Sequence, residues 1–169
     1  MDLLATLRRS GGIDALARQV GLAPAVVSAC VEASLPAIVA GLRNYTLKSG
    51  GGDAGLGALL AMIDGLGDGN LAADVMGPEP LSAGPGERIL AQFFEPSRAK
   101  QRAGELAVAS GRSVAEIERI LPLLAMLLCG YISARVEAGR IDGGNLDWLW
   151  NLLMLQDPDE PRANSGTHG

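Results

Sequence analysis

Residues 16–30 read LARQVGLAPAVVSAC, and residues 106–120 read LAVASGRSVAEIERI. Both stretches contain a Leu-Ala pair, a glycine four residues after the alanine, and apolar residues six and nine positions beyond that glycine. Each repeated position lies 90 residues after its counterpart. Because a glycine after an apolar helical run typically ends the helix in a left-handed turn, each stretch predicts two helices joined by a tight turn. The sequence therefore predicts a duplicated helical hairpin.

The two copies account for most of the chain. Copy one is predicted over residues 3–49 and copy two over residues 88–139, with a Gly-rich connector at residues 50–87 between them. A further apolar helix is predicted over residues 145–156, after the Asp-Gly-Gly turn at residues 142–144. The predicted fold class is all-α: a helical bundle built from two helix-turn-helix hairpins, the connector and the C-terminal helix.

Length and composition indicate how the chain is divided. A chain of 169 residues can bury one substantial core, so residues 1–156 are expected to form a single domain. Apolar residues make up 48% of the chain and aromatic residues 4%, which suits helix-on-helix packing of Leu, Ala, Val and Ile. Residues 157–169 begin Asp-Pro-Asp-Glu-Pro-Arg and are predicted to be a disordered tail.

Glycine and proline indicate the helix boundaries in the first half of the chain. In copy one, a helix is predicted over residues 13–20 and a long helix from Pro24 to the glycines at residues 50–52. In the connector, one modest helix is predicted near residues 56–63, followed by an extended segment over residues 76–87.

Copy two contains two serine motifs. Ser113 and Glu116 have the spacing of a capping box at the start of a long helix, which is predicted to be buried on every side over residues 120–132. Ser97 and Lys100 match the Ser-x-x-Lys motif of penicillin-recognising enzymes. The partner motifs Ser-Asp-Asn and Lys-Thr-Gly do not occur, so Ser97 is interpreted as a helix N-cap.

Charge and hydropathy limit the possible partners and location. The formal net charge of −5 disfavours nucleic acid, since an acidic chain gains little from phosphate counterion release. The apolar stretches at residues 26–42 and 120–132 are shorter than the ~20 residues that a membrane span needs. The polar faces lack the basic residues of a helix that binds a membrane surface. The N-terminus lacks the basic-then-apolar order of a signal peptide, so a cytoplasmic protein is expected.

The sequence predicts no catalytic, metal or cofactor site. Cys30 and Cys129 lie within apolar helical runs, which indicates buried thiols, and the only histidine is His168. The glycines at residues 50–57 lack the Gly-Lys-Ser/Thr ending of a phosphate-binding loop. We therefore expect a non-enzymatic protein with no metal, no cofactor and no small-molecule ligand.

The hairpin pattern is also typical of DNA-binding helix-turn-helix proteins. DNA recognition requires basic and amide side chains on the second helix. Residues 24–42 contain no Lys, Arg, Asn or Gln, and residues 113–120 contain two glutamates and one arginine. A cytoplasmic DNA-binding regulator is therefore the alternative hypothesis and not the leading one.

The predicted C-terminal helix has two apolar stripes. One stripe suffices to dock a surface helix, and it comprises Leu146, Leu149, Trp150, Leu153 and Met154. The other stripe is the candidate interaction surface, and it comprises Trp148, Leu152 and Leu155. Either the helix is buried on two sides within one molecule, or the second stripe contacts another molecule. The leading hypothesis is a structural or interaction module that associates with itself or with another protein.

The quoted stretches resemble a bacterial, YidB-like family known as domain of unknown function 937. The resemblance extends over much of residues 3–135, and its strongest segments are residues 16–42 and 88–132. Similar sequences tend to carry a His-x-Phe-Gly-like segment where this chain has Gln-Phe-Phe-Glu at residues 92–95. The resemblance implies an all-helical fold and assigns no function.

Overall fold

A computed structural model of the protein describes residues 3–66, 75–77, 84–92, 96–139 and 146–155. These residues form eight α-helices of seven residues or more and no β-strand, so the all-α class is confirmed. The helices are α1 (Leu3–Arg9), α2 (Gly12–Val20), α3 (Pro24–Lys48), α4 (Gly52–Leu66), α5 (Gly84–Ala91), α6 (Pro96–Ser110), α7 (Val114–Gly139) and α8 (Asp147–Leu155).

The turns between α2 and α3 and between α6 and α7 have the same geometry. Gly21 and Gly111 adopt left-handed φ angles of 72° and 71°. The next amide in each turn, of Leu22 or Arg112, donates to the carbonyl of Ala17 or Ala107 at 3.1 Å. However, α2 has 9 residues and α6 has 15, so the hairpins differ in length and the duplication itself stays a prediction.

The core is organised around α3 and α7. Helix α7 packs against α2, α3, α4, α5 and α6, and α3 packs against α1, α2, α4, α6, α7 and α8. Every residue from Ile120 to Gly130 is buried, which agrees with the predicted buried stretch 120–132 except at Tyr131, which is partly exposed.

Two glycines allow helices to approach closely. A methyl group added at Gly55 on α4 would overlap the carbonyl oxygen of Thr46 on α3. A methyl group added at Gly86 on α5 would overlap the carbonyl oxygen of Pro122 on α7. Glycine is therefore required at both contacts, because any larger residue would push the two helices apart.

The connector differs from its prediction. Helix α4 begins at Gly52 and is longer than the predicted segment 56–63, and α5 begins at Gly84, within the segment predicted to be extended. Pro85 is compatible with a helix there because the second helical position has no amide partner to lose. The predicted start of copy two at residue 88 therefore lies inside α5.

The other predicted helix boundaries agree with the structure to different degrees. Helix α6 begins at Pro96, so Ser97 is a helical residue and its interpretation as an N-cap is wrong. Helix α8 lies within the predicted range 145–156. The predicted turn at residues 142–144 and the predicted disordered tail at residues 157–169 lie outside the described residues.

The two central helices are longer than the apolar stretches within them. Helices α3 and α7 have 25 and 26 residues and are long and apolar enough to cross a membrane. In their most apolar windows, 50% of α3 and 72% of α7 is buried inside the molecule. Length therefore does not exclude a membrane span, whereas packing accounts for most of the apolar surface of α7.

Candidate functional site

Helix α8 carries the surface predicted from the sequence. It packs against α3, with Leu149 and Leu153 fully buried and Leu152 only 3% exposed. Trp148 is partly buried against the core, and Asn151 is exposed. The side chain of Leu155 lies outside the described part of the chain. Of the predicted interaction residues, Trp148 thus retains partial exposure and Leu152 belongs to the core.

Trp148 belongs to a small cluster with two residues of α7. The Arg135 guanidinium carbon lies 4.3 Å from the ring centroid of Trp148, the geometry of a cation–π contact. Arg135 Nη1 also donates to the Tyr131 hydroxyl at 3.2 Å. All three side chains are partly exposed. We refer to Tyr131, Arg135 and Trp148 as the α7–α8 cluster.

The sequence reasoning missed Tyr131 and Arg135. Their spacing of four residues places them on one face of α7 and is the signal that could have paired them. The contact of Arg135 with Trp148 joins separate helices, so local periodicity could not reveal it.

A second polar cluster lies at the start of α7. The Glu116 amide donates to Ser113 Oγ and the Ser113 amide donates to Glu116 Oε1, both at 3.1 Å, which confirms the capping box. Arg112 Nε and Nη2 donate to the two Glu116 carboxylate oxygens at 3.0 Å. These hydrogen bonds, those from Arg112 first, lower the pKa of Glu116 from its ordinary 4.5 to about 2. The same pairing raises the pKa of Arg112.

Two arginines near the first helix-turn-helix turn donate hydrogen bonds that stabilise the fold. On α7, Arg119 donates to the Val20 carbonyl at the end of α2, so its charge satisfies a helix C-terminus. On α2, Arg18 donates to the carbonyls of Met76 and Gly77 at 3.0 and 2.9 Å.

The exposed start of α3 is apolar or acidic. The exposed residues at the start of α3 include Pro24, Ala25 and Glu32. On α7, the corresponding exposed residues include Val114, Ala115, Glu118 and Arg119, of which Arg119 donates to the Val20 carbonyl. A DNA-reading helix instead presents cations and amides to phosphates and base edges.

The cysteines are buried and free, and burial raises the pKa of both thiols, to about 12 for Cys129. Nearby Glu116 raises the pKa of Cys30 further. Among the described residues, no group of three or more His, Cys, Asp or Glu could hold a metal ion. No arrangement in the described ranges indicates catalysis, which requires convergent, activated groups.

Helix α6 bears an open polar depression. Its lining includes Arg98, Gln101, Arg102 and Glu105. Arg102 Nη1 lies 3.3 Å from Glu105 Oε1, and Gln101 Nε2 lies 3.4 Å from Glu105 Oε2. The Ser97–Lys100 motif lies on the same helix, but the side chain of Ser97 is not among those described.

Comparison with known families connects this all-helical arrangement to other bacterial proteins. The family model described as "bacterial protein of unknown function", domain of unknown function 937, matches residues 2–135 of the 169. The chain belongs to this family. The matched range contains the first helix-turn-helix hairpin and most of the second, and it ends within α7, before α8. No curated protein and no solved structure matches the chain.

Proposed function

We propose that this family member is a non-enzymatic interaction module that associates with a second copy of itself or with another protein. The α7–α8 cluster is the observation that carries the proposal. Trp, Tyr and Arg are the residue types most enriched among those that dominate binding energy at protein interfaces. Here the three residues lie together and are partly exposed, where Arg135 of α7 contacts Trp148 of α8. Helix α8 itself packs on α3.

The distribution of charged groups also favours a binding function over a catalytic one. Arg112, Glu116 and Arg119 satisfy helix ends, and Arg18 holds the backbone at residues 76 and 77. These groups therefore have structural roles in the described part of the chain. Buried free thiols support a reducing compartment, so we propose that the module acts in the cytoplasm.

Self-association is the form of the proposal that we favour. Most soluble oligomers consist of identical subunits, and the twofold dimer is the commonest arrangement. The DNA-binding alternative has less support because residues 24–42 of α3 contain no cation, although Arg8 of α1 donates to Ser28 Oγ at 2.7 Å. If that alternative were correct, low-salt binding to duplex DNA would weaken steeply as salt is added.

Light scattering on the purified full chain at low and high concentration tests self-association. We expect the average mass to rise with concentration. Asn151→Arg should abolish that rise, because Asn151 is exposed on α8 one turn from Trp148 and a cation there would face the contact. Trp148→Asp is less informative, since Trp148 also packs on the core and its loss would affect folding.

Asn44→Arg provides the matched control, because Asn44 is likewise an exposed helical asparagine but lies on α3. It should associate like the wild type, and circular dichroism should show both variants folded. A wild-type mass that stays monomeric at both concentrations would contradict self-association. An unchanged concentration dependence in Asn151→Arg would exclude the α7–α8 cluster as the contact.

A further inference from the structure

Three consecutive residues between α4 and α5 are held on α2 in the manner of a bound peptide. Arg18 Nη2 donates to the carbonyls of Met76 and Gly77 at 3.0 and 2.9 Å. Gln19 Nε2 donates to the carbonyls of Val75 and Gly77, both at 3.3 Å. All the acceptors are main-chain carbonyls, so these two side chains recognise a backbone and not a particular sequence. We refer to Val75, Met76 and Gly77 as the Val-Met-Gly segment.

One side chain of the Val-Met-Gly segment enters the interior. Val75 is fully buried and belongs to the hydrophobic core. Met76 is 37% exposed, and a methyl group added at Gly11, just before α2, would lie 3.6 Å from its Cε atom. Peptide-binding proteins commonly combine main-chain hydrogen bonds, which give affinity, with pockets for single side chains, which give specificity. Both features are present at α2, where two donors lie beside an apolar pocket that Val75 fills.

The attachment of the segment depends mainly on that one buried valine. Arg18 is exposed and the hydrogen bonds from Gln19 are long, so water competes with both donors for the carbonyls. A segment with few buried contacts can open locally while the rest of the core stays folded. Opening would leave an apolar pocket next to a guanidinium and an amide that have lost these carbonyls, which is the chemistry of an empty peptide site.

We propose that this part of α2 is a binding site for a segment of a partner protein, and that the Val-Met-Gly segment blocks it in the free molecule. The segment seated there defines what fits: an aliphatic side chain of about the size of valine, followed by main-chain carbonyls that accept from Arg18 and Gln19. A tethered segment competes at a high effective concentration, so only a tightly binding partner replaces it. The proposal goes beyond self-association, because it concerns a different surface and a different partner.

Fluorescence anisotropy with a labelled synthetic peptide of residues 71–81 tests the proposal, because this peptide carries the Val-Met-Gly segment. Val75→Ser in the full chain removes the side chain that fills the pocket and should vacate the site. This variant should bind the peptide about ten-fold or more tightly than the wild type, in which the tethered segment competes. Val108→Ser is the matched control: Val108 is 85% exposed on α6, so this variant should bind like the wild type.

Further changes identify the contacts of the peptide. Adding Arg18→Gln to the Val75→Ser chain should weaken peptide binding several-fold, because the Arg18 guanidinium donates to two of the carbonyls. Adding Arg98→Gln instead, the loss of an exposed arginine on α6, should leave peptide binding unchanged. A peptide that carries Val75→Asp should not bind, because burying a carboxylate in an apolar pocket is unfavourable.

Photo-crosslinking provides a second measurement that leaves the chain unaltered. A peptide with a diazirine analogue of methionine at position 76, added in excess, should link to the wild-type chain at residues 10–13, around Gly11. An excess of the peptide without the diazirine should reduce this linkage several-fold. Circular dichroism shows whether Val75→Ser is folded, and if that variant is unfolded the crosslink decides the question.

Peptide binding by folded Val75→Ser that is no tighter than by Val108→Ser would overturn the proposal, as would the absence of linkage around Gly11. If excess peptide abolished the rise of the wild-type mass with concentration, the site would bind a second copy and the partner-protein proposal would be wrong. Light scattering without peptide measures self-association by itself, so a failure to bind the peptide leaves the proposed self-association standing.

Discussion

At the residue scale, Ser34 is an unusual core residue. Its side chain is fully buried on α3, and its hydroxyl has no hydrogen-bond partner among the described residues. A buried hydroxyl without a partner has lost its water without compensation. We expect Ser34→Ala to raise the free energy of unfolding by about 1 kcal/mol, as measured by urea denaturation.

Thr46 provides the matched comparison. It is also fully buried on α3, but its hydroxyl donates to the Leu42 carbonyl at 3.0 Å. Thr46→Val should therefore lower the free energy of unfolding by about 1 kcal/mol. If both variants shift stability in the same direction, the hydroxyl of Ser34 has a partner and the explanation is wrong.

At the element scale, the contact of α5 with α7 depends on Gly86. A side chain there would meet the backbone carbonyl of Pro122, which cannot rotate away. Gly86→Ala should cost about 3 kcal/mol of stability, the upper range for overpacking. Gly57→Ala is the control: Gly57 is exposed on α4 with open space around it, so the change should gain about 0.5–1 kcal/mol. If Gly86→Ala and Gly57→Ala changed the free energy of unfolding equally, in thermal or urea denaturation, then α5 and α7 would lie farther apart than described.

The capping box gives α7 a stability that depends on pH. The folded-state pKa of Glu116, about 2, lies below its ordinary 4.5, so its pairing stabilises the protein above pH 4.5. That contribution is lost as pH falls from 4.5 through about 2. Urea denaturation of wild type and Glu116→Gln should therefore converge over this range, whereas Glu118→Gln, at an exposed position on α7, should follow the wild type throughout.

Ser113→Ala tests the other half of the capping box. The variant leaves an amide of the first turn without its side-chain acceptor and should cost about 1 kcal/mol at neutral pH. Ser133→Ala, a serine substitution within the same helix, is the comparison and should cost less. If Ser133→Ala lowered the free energy of unfolding as much as Ser113→Ala does, the Ser113 cap would make no specific contribution to stability.

At the scale of the whole molecule, local patterns were predictable and contacts between distant helices were not. The glycine turns at residues 21 and 111 and the buried stretch of α7 follow from periodicity and turn chemistry. The start of α5 could not be predicted in this way, because a Gly-Pro-Gly segment favours coil by composition. This segment is helical here, where it packs on Pro122. The α7–α8 cluster likewise required knowledge of which helices meet.

The order of synthesis gives the burial of α7 a further consequence. The ribosome releases α3, with its apolar side chains, long before residues 114–139 exist to cover them. Until then α3 can pack on α1, α2 and α4, but its apolar side chains that contact α7 stay uncovered, a state prone to aggregation and to capture by chaperones. A message truncated before codon 114 should therefore yield insoluble product, because the element that completes the interior is translated late.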